Sequence, residues 1–405
     1  MASFETNRAK LAELAIRFGV NLQQDQELFI SAPIAAVEFV REITEQAYQA
    51  GAKLVTVIYS DDQMTLSRYN SGPDSTFDYA PDWLYSGIAN AFNNGAARLA
   101  VAGETPGLLA GQDGEKVSRA NRAQSTAAKP MIKAITTLAT NWSIVPFASP
   151  GWAKQVFPDL AEDEAVAALW EQILRVTRAD LDDPVTAWKD HVATLQTRMN
   201  TIQDMKLWGL RFHDGDTDVT VGLADDHVWQ GGTVVAQNGV EFEPNLPTEE
   251  IFTMPHKDRV DGRVVFTKPV ALMGSIVDGL VVEFKNGKVI SVHAEKGQDV
   301  FQKFVETDEG ASFLGEVALV PHSSPISQSG VLFFNTLFDE NAACHIAFGQ
   351  SYSMNLPEGV DGAPRGANTS SVHMDCMIGN AKMSVDGVNA DKSVVAIMRD
   401  GEFVI

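Results

Sequence analysis

The feature that most constrains this chain is a change of texture near residue 205. Before it, short apolar runs alternate with helical patterns; after it, β-formers gather around tight turns. Residues 27–31, 53–59, 97–102 and 142–147 are runs short enough to be buried strands. Leu11, Leu14, Ala15 and Phe18 follow helical spacing, and residues 35–50 read as a second amphipathic helix. Strands separated by helices of this length form βαβ units, with a parallel sheet and helices on its faces. Two long helical patterns follow over residues 162–204, with Pro184 opening the second at a favoured early position. Beyond them, residues 206–212, 217–223 and 281–290 alternate or cluster β-formers, and Asn286-Gly287 suits the type I′ turn of a hairpin. At 405 residues the chain is too long for one core. The expected organisation is an α/β N-terminal domain with a mainly parallel sheet over residues 1–200. A strand-rich α+β C-terminal domain over residues 201–405 would carry the chemistry.

Charge narrows the function classes. A formal net charge of -22 argues against a nucleic-acid surface, which needs clustered Lys and Arg. The same charge would draw in cations, including divalent metals or substrates with a free amine. Much of it is ordinary solvated surface. No apolar run approaches the roughly 18 residues of a membrane span, and the polar start of the chain lacks the pattern of a signal peptide. Cys344 and Cys376 are the only cysteines, so no disulfide framework is expected, and a reducing compartment is the simplest reading.

Reactive groups concentrate in the second half. Residues 340–375 gather Glu340, His345, Tyr352, His373 and Asp375, with Glu250 and Glu316 upstream beside apolar or glycine-rich segments. Carboxylates and imidazoles are the ligands of hydrolytic metals, and a nearby tyrosine can donate to a developing oxyanion. Taken singly, each has an ordinary explanation. Glu249 and Glu250, bracketed by Pro247 and Pro255, could form an acidic surface turn. Glu316 sits in a strand-like apolar run, where a buried carboxylate needs a compensating partner: a metal, an Arg, or an outward-facing position. Alternation places it on the face of Leu314 and Ala318. Glu340 and His345, five apart, share no helix face, but a turn between them could bring both inward; His345 could equally be a packed core histidine. His373 and Asp375 would project from one face of a strand, with Met374 and Cys376 on the other. Cys344 and Cys376 read as core residues, and His256 and His322 could at most line the pocket. HExxH, GxSxG, the phosphate-binding GxxxxGK[ST] and CxxC are all absent.

Taken together, the segment around Glu250, Gly315-Glu316, the stretch from Glu340 to His345 with Tyr352, and His373-Met374-Asp375 resemble the M29 family of metallo-aminopeptidases. The likeness extends over nearly the full length. It implies a cytoplasmic, homodimeric exopeptidase that removes N-terminal residues from short peptides with a free N-terminus, with no nucleic-acid or membrane partner. It further implies two divalent metal ions per chain (zinc, cobalt or magnesium) held by Glu250, Glu316, Glu340, His345, His373 and Asp375. In that comparison Glu316 is the bridging, catalytic carboxylate and Tyr352 the catalytic tyrosine; Glu316 or Glu249 would carry the proton to the leaving amine. Two other readings remain at this level. One is a two-metal phosphoesterase, for which no basic or glycine-rich phosphate cradle is present. The other is a non-catalytic metal-stabilised binding protein, although structural zinc favours Cys-rich sites that this chain lacks.

Overall fold

A computed structural model of the chain describes residues 3–272 and 275–405. The chain forms two compact units: Met1–Asp190 with Thr233–Pro247, and His191–Gly232 with Thr248–Ile405.

The first unit is built on four parallel strands, β1 (Glu27–Pro33), β2 (Leu54–Ser60), β3 (Ala97–Ala102) and β4 (Trp142–Pro146), in the order β2-β1-β3-β4. Each grows from an apolar run visible in the sequence. The connections carry helices, as parallel pairing requires, including Val37–Gln49, Asp62–Ser71, Asp82–Asn93 and Gly114–Thr136. Asp61 and Asp113 start two of them by accepting the first free N–H groups. Phe39, Phe147 and Trp170 pack ring against ring on this core, the Phe147 and Trp170 centroids 5.4 Å apart and edge to face.

A single cut near residue 200 does not describe the two units. Residues Thr233–Pro247 belong with the first because β4 is an edge strand with bonds to spare. The Ile144 N–H donates to the Pro244 carbonyl at 2.8 Å, and the Leu246 N–H donates to the Ile144 carbonyl at 3.0 Å. Satisfying an otherwise open sheet edge is what draws this segment back. It lies between strand-rich stretches, so its own composition does not betray that destination.

The second unit contains an eight-stranded antiparallel sheet. Its order is Lys288–His293, Val281–Lys285, Pro255–Val265, Asp218–Leu223, Gly209–His213, Ser384–Val388, Val394–Arg399 and Glu402–Phe403. Asn286 and Gly287 turn its hairpin with positive φ angles of 49° and 81°, the conformation that an Asn-Gly pair accepts. A four-stranded antiparallel sheet completes the unit. It comprises β5 (Ile251–Thr253), β6 (Leu314–Leu319), β7 (His345–Gly349) and β8 (His373–Met377), in the order β8-β7-β6-β5. One face of this small sheet is apolar. Val317, Ile346, Phe348 and Cys376 are fully buried there, and Phe348 packs against Phe284, Phe301 and Phe304. Among the described residues, no helix is long and apolar enough to cross a membrane.

Candidate metal centre

The opposite face of that sheet carries the chemistry, and strand register explains why. Ala347 in β7 stands opposite Glu316 on one side and Asp375 on the other; His345 stands opposite Ala318, and Gly349 opposite His373. Directly opposed residues share a face, as do residues two apart on one strand. Glu316, His345, His373 and Asp375 therefore rise from one surface, over a floor of Ala318, Ala347 and Gly349. Small floor residues leave room above the sheet for the acidic and imidazole side chains. Glu250 joins them from the residue just before β5.

Glu316 reaches this face through an irregularity. Leu314 pairs with Phe348 and Glu316 with Ala347, so the register shifts by one residue at Gly315. Plain alternation puts Glu316 on the face of Leu314; the bulge instead leaves Leu314 in the core with Phe348 and turns Glu316 to the site with Ala318. Gly315 is required there, since a Cβ would lie 2.4 Å from the carbonyl oxygens of both Gly349 and Gln350. The isolated glycine within an apolar strand was the available signal of that bulge.

The side chains form two donor groups that share Glu316: Glu250, Glu316 and His345, and Glu316, His373 and Asp375. His345 Nε2 lies 3.2 Å from Glu250 Oε2 and 3.7 Å from Glu316 Oε1. On the other side, His373 Nε2 lies 3.6 Å from Glu316 Oε2 and 3.4 Å from Asp375 Oδ1. The two oxygens of Glu316 thus face different groups. Both imidazoles are oriented from behind: His345 Nδ1 donates to the Ala343 carbonyl at 3.2 Å and His373 Nδ1 to the Gln350 carbonyl at 2.8 Å. That arrangement presents Nε2 to the carboxylates, as metal-binding histidines do. Two buried atoms in the centre, Glu250 Oε2 and His345 Nε2, face each other at 3.2 Å without a well-aligned hydrogen bond to any described residue. Orphaned polar atoms of this kind are costly unless a ligand answers them.

Electrostatics match the crowding. Burial, with Glu250 and Asp375 nearby, pushes Glu316 up to about 7 despite the opposing His345. Burial and the charges of Glu250 and Asp375 raise Glu340 well above its ordinary range. Burial would depress both imidazoles, but Glu250 and Glu316 raise His345, and Asp375 and Glu316 raise His373. Asp375 alone goes down: burial opposes its charge, but the His373 contact and the charges of His345 and His373 prevail. Buried carboxylates that hold protons, and imidazoles kept protonated by the carboxylates around them, are poised to exchange those protons for a cation.

Glu340 and Tyr352 stand outside the two groups but close to them. Glu340 sits on the turn Glu340–Ala342 and lines a cavity of about 540 Å³ together with His373, Asp375, Leu332, Phe334 and Met374. The Tyr352 ring lies 4.7 Å from that of His373, centroid to centroid. Glu249 points elsewhere, its Oε2 3.5 Å from His191 Nε2. Cys344 and Cys376 are buried in the apolar core, where desolvation pushes the Cys344 thiol up to about 11. His256 accepts from the Asp258 N–H, and His322 faces Ser327 at 3.1 Å; neither belongs to the donor groups.

Comparison with known proteins gives the family. Residues 4–403 match the family model described as thermophilic metalloprotease (M29). The chain is 50% identical to aminopeptidase T of Thermus aquaticus, over 100% of both chains. It is 40% identical to aminopeptidase 2 of Geobacillus stearothermophilus, over 100% of this chain and 99% of that one. The solved structure of wild-type AmpT from Thermus thermophilus superposes with a TM-score of 0.95 at 49% identity, covering 100% of both chains. A clustered set of carboxylates and imidazoles, on a fold shared from end to end, makes this chain a member of the M29 family of thermophilic metalloproteases.

Proposed function

We propose that Glu250, Glu316, Glu340, His345, His373 and Asp375 hold two divalent cations, with Glu316 shared between them, and that this centre cleaves the N-terminal residue from short peptides. The chain is a metal-dependent aminopeptidase: its family is one of metalloproteases, and its relatives are named aminopeptidases. The observation that carries the site assignment is the division of Glu316, one oxygen toward His345 and the other toward His373. The orphaned Glu250 Oε2 and His345 Nε2 fit an ion between them. Each donor group offers one imidazole and two carboxylates. That mixture suits zinc or cobalt better than magnesium, which prefers an all-oxygen shell.

Bound cations of this type polarise a carbonyl and lower the pKa of a coordinated water to about 7. The remaining work falls to the chain. The cavity beside Glu340, His373 and Asp375 gives the first residue a place next to them, walled by Leu332, Phe334 and Met374. Tyr352 supplies a phenolic O–H toward the oxygen that becomes negative in the transition state.

The direct test compares an aminoacyl amide with its N-acetylated equivalent, after chelation and after restoring zinc, cobalt or magnesium. Cleavage that returns with metal and needs the free amine is the expected result. Equal cleavage of the blocked substrate would remove the exopeptidase assignment, and hydrolysis of phosphate esters instead would favour a phosphoesterase.

A pH dependence follows from the shifted groups. Glu316 and Glu340 rise above 4.5, and His345 and His373 above 6.5, so each holds its proton more tightly in the metal-free fold than in the unfolded chain. That stabilisation is complete below the unfolded values and is lost as pH rises through the folded ones. Asp375 acts oppositely, but only as pH falls below 3.8. The metal-free fold therefore loses the Glu316 contribution between about pH 4.5 and 7, and those of Glu340, His345 and His373 as pH climbs through their raised values, while a cation in place of the protons preserves them. Thermal unfolding should show the gap in Tm between loaded and metal-free protein widening over that range. Apparent cation affinity should rise about tenfold per pH unit for each proton displaced. A gap that narrows with rising pH would contradict the assignment.

A further inference from the structure

Among the proposed ligands, Glu340 is held differently from the rest. Glu316, His345, His373 and Asp375 lie within paired strands, and Glu250 adjoins one, so sheet register fixes their backbones. Glu340 opens the turn Glu340–Ala342, which takes no part in strand pairing. It also stands in a buried site among other carboxylates, with Glu250, Asp375 and Glu316 near enough to oppose its charge.

The next residue answers that opposition. Asn341 is fully buried. Its side-chain Oδ1 accepts the Glu249 N–H at 2.7 Å, and its Nδ2 donates to the Leu337 carbonyl at 3.0 Å. Its own carbonyl accepts the hydroxyl of buried Ser324 at 2.9 Å. A single amide therefore ties the backbone beside Glu250 to the helical turn that leads into Glu340. An Asn is suited to this because it donates and accepts at once, and the buried bonds leave it one orientation.

We propose that Asn341 is a positioning residue of the metal centre: by joining the Glu249 backbone to the Leu337–Glu340 turn, it fixes the Glu340 carboxylate relative to Glu250 and so sets cation affinity. The proposal rests on the metal-site assignment above. Asn341 touches neither substrate nor the reacting atoms; it acts through Glu340. Partners that hold ligands in place typically change metal affinity 10- to 100-fold when removed.

The test is cation affinity, measured by titrating chelated protein with zinc in competition with a chromophoric chelator. N341L keeps the branched shape, though larger, without donor or acceptor; N341A leaves room for a water; N341D keeps an acceptor for the Glu249 N–H. We expect N341L and N341A to bind zinc about 10- to 100-fold more weakly than the unaltered protein, and N341D to lose less than N341L. N141A is the control for a generic loss of stability. Asn141 is also fully buried and bonded, donating to the Val20 carbonyl at 2.6 Å and accepting from Gln26 at 2.7 Å, but it lies in the first unit. It should lower Tm and leave zinc affinity unchanged. For a variant too unstable to titrate, the same comparison is made on the zinc-induced rise in Tm, expected to shrink for N341A and to hold for N141A. Zinc affinity within twofold of the unaltered protein in folded N341L or N341A would overturn the proposal, as would an equal loss in N141A. Failure of the unaltered protein to bind zinc, cobalt or magnesium would instead overturn the metal-site assignment itself.

Discussion

Glu316→Gln is expected to lower kcat/KM on the order of 10³-fold or more, about 4 kcal/mol of transition-state stabilisation. Its carboxylate is the one donor common to both groups, with Oε1 toward His345 and Oε2 toward His373. An amide has nearly the same shape but offers one oxygen and no charge, so at most one group keeps its set. Metal analysis of the purified variant should show fewer ions retained than in the unaltered protein. Stability separates this outcome from simple unfolding. Glu316 is buried beside Glu250 and Asp375, which push its pKa up to about 7, so above that pH its charge is a cost to the metal-free fold. Removing the charge should leave the Tm of the metal-free variant at pH 8 equal to or above that of the unaltered protein. A variant with full metal content and turnover within tenfold would remove Glu316 from the shared position.

How far the sequence anticipates this arrangement differs by level. Apolar runs at residues 97–102 and 142–147 became β3 and β4 because both strands are at least half covered along their length, so apolar residues dominate them, with Arg98 and Ser143 as the exceptions. The Asn286-Gly287 hairpin was equally legible, since its turn chemistry is local. The return of Thr233–Pro247 to the edge of β4 was not, because it depends on a hydrogen-bonding vacancy about a hundred residues away. Within the site, His373 and Asp375 follow from strand alternation. Glu316 does not: alternation gives it Leu314 as a face-mate, and only the bulge at Gly315 separates them. The floor of Ala318, Ala347 and Gly349 has no signature of its own, because small residues in strands are common and acquire meaning only when three strands align. Asn341 is the extreme case. Its partners are the backbone of Glu249 and Leu337, and backbone partners leave no trace in side-chain patterns.

Tyr352→Phe should act on turnover alone. Burial raises the phenol above its ordinary value, and the charges of Glu316, Asp375, Glu340 and Glu250 raise it further. In the metal-free fold the hydroxyl therefore keeps its proton throughout the neutral range, the state in which it can serve as a donor. Its ring stands 4.7 Å from His373, and a protonated phenol is a poor ligand beside the carboxylates and imidazoles assigned to the cations. Tyr352 is partly desolvated yet 41% exposed as a residue, which places it where a substrate can approach and leaves little packing to lose when the oxygen is deleted. Loss of one donor to a developing oxyanion costs about 10²- to 10³-fold in kcat, or roughly 3–4 kcal/mol. We expect that loss in kcat with KM within about threefold, because the bond strengthens only as charge develops. Metal content and Tm should match the unaltered protein. A rise in KM at constant kcat would make Tyr352 a substrate-binding group, and a loss of metal would make it a support for His373. Tyr352→His offers a further check: a neutral imidazole can donate one hydrogen bond but is shorter, so partial recovery relative to Phe is expected if donation is the function.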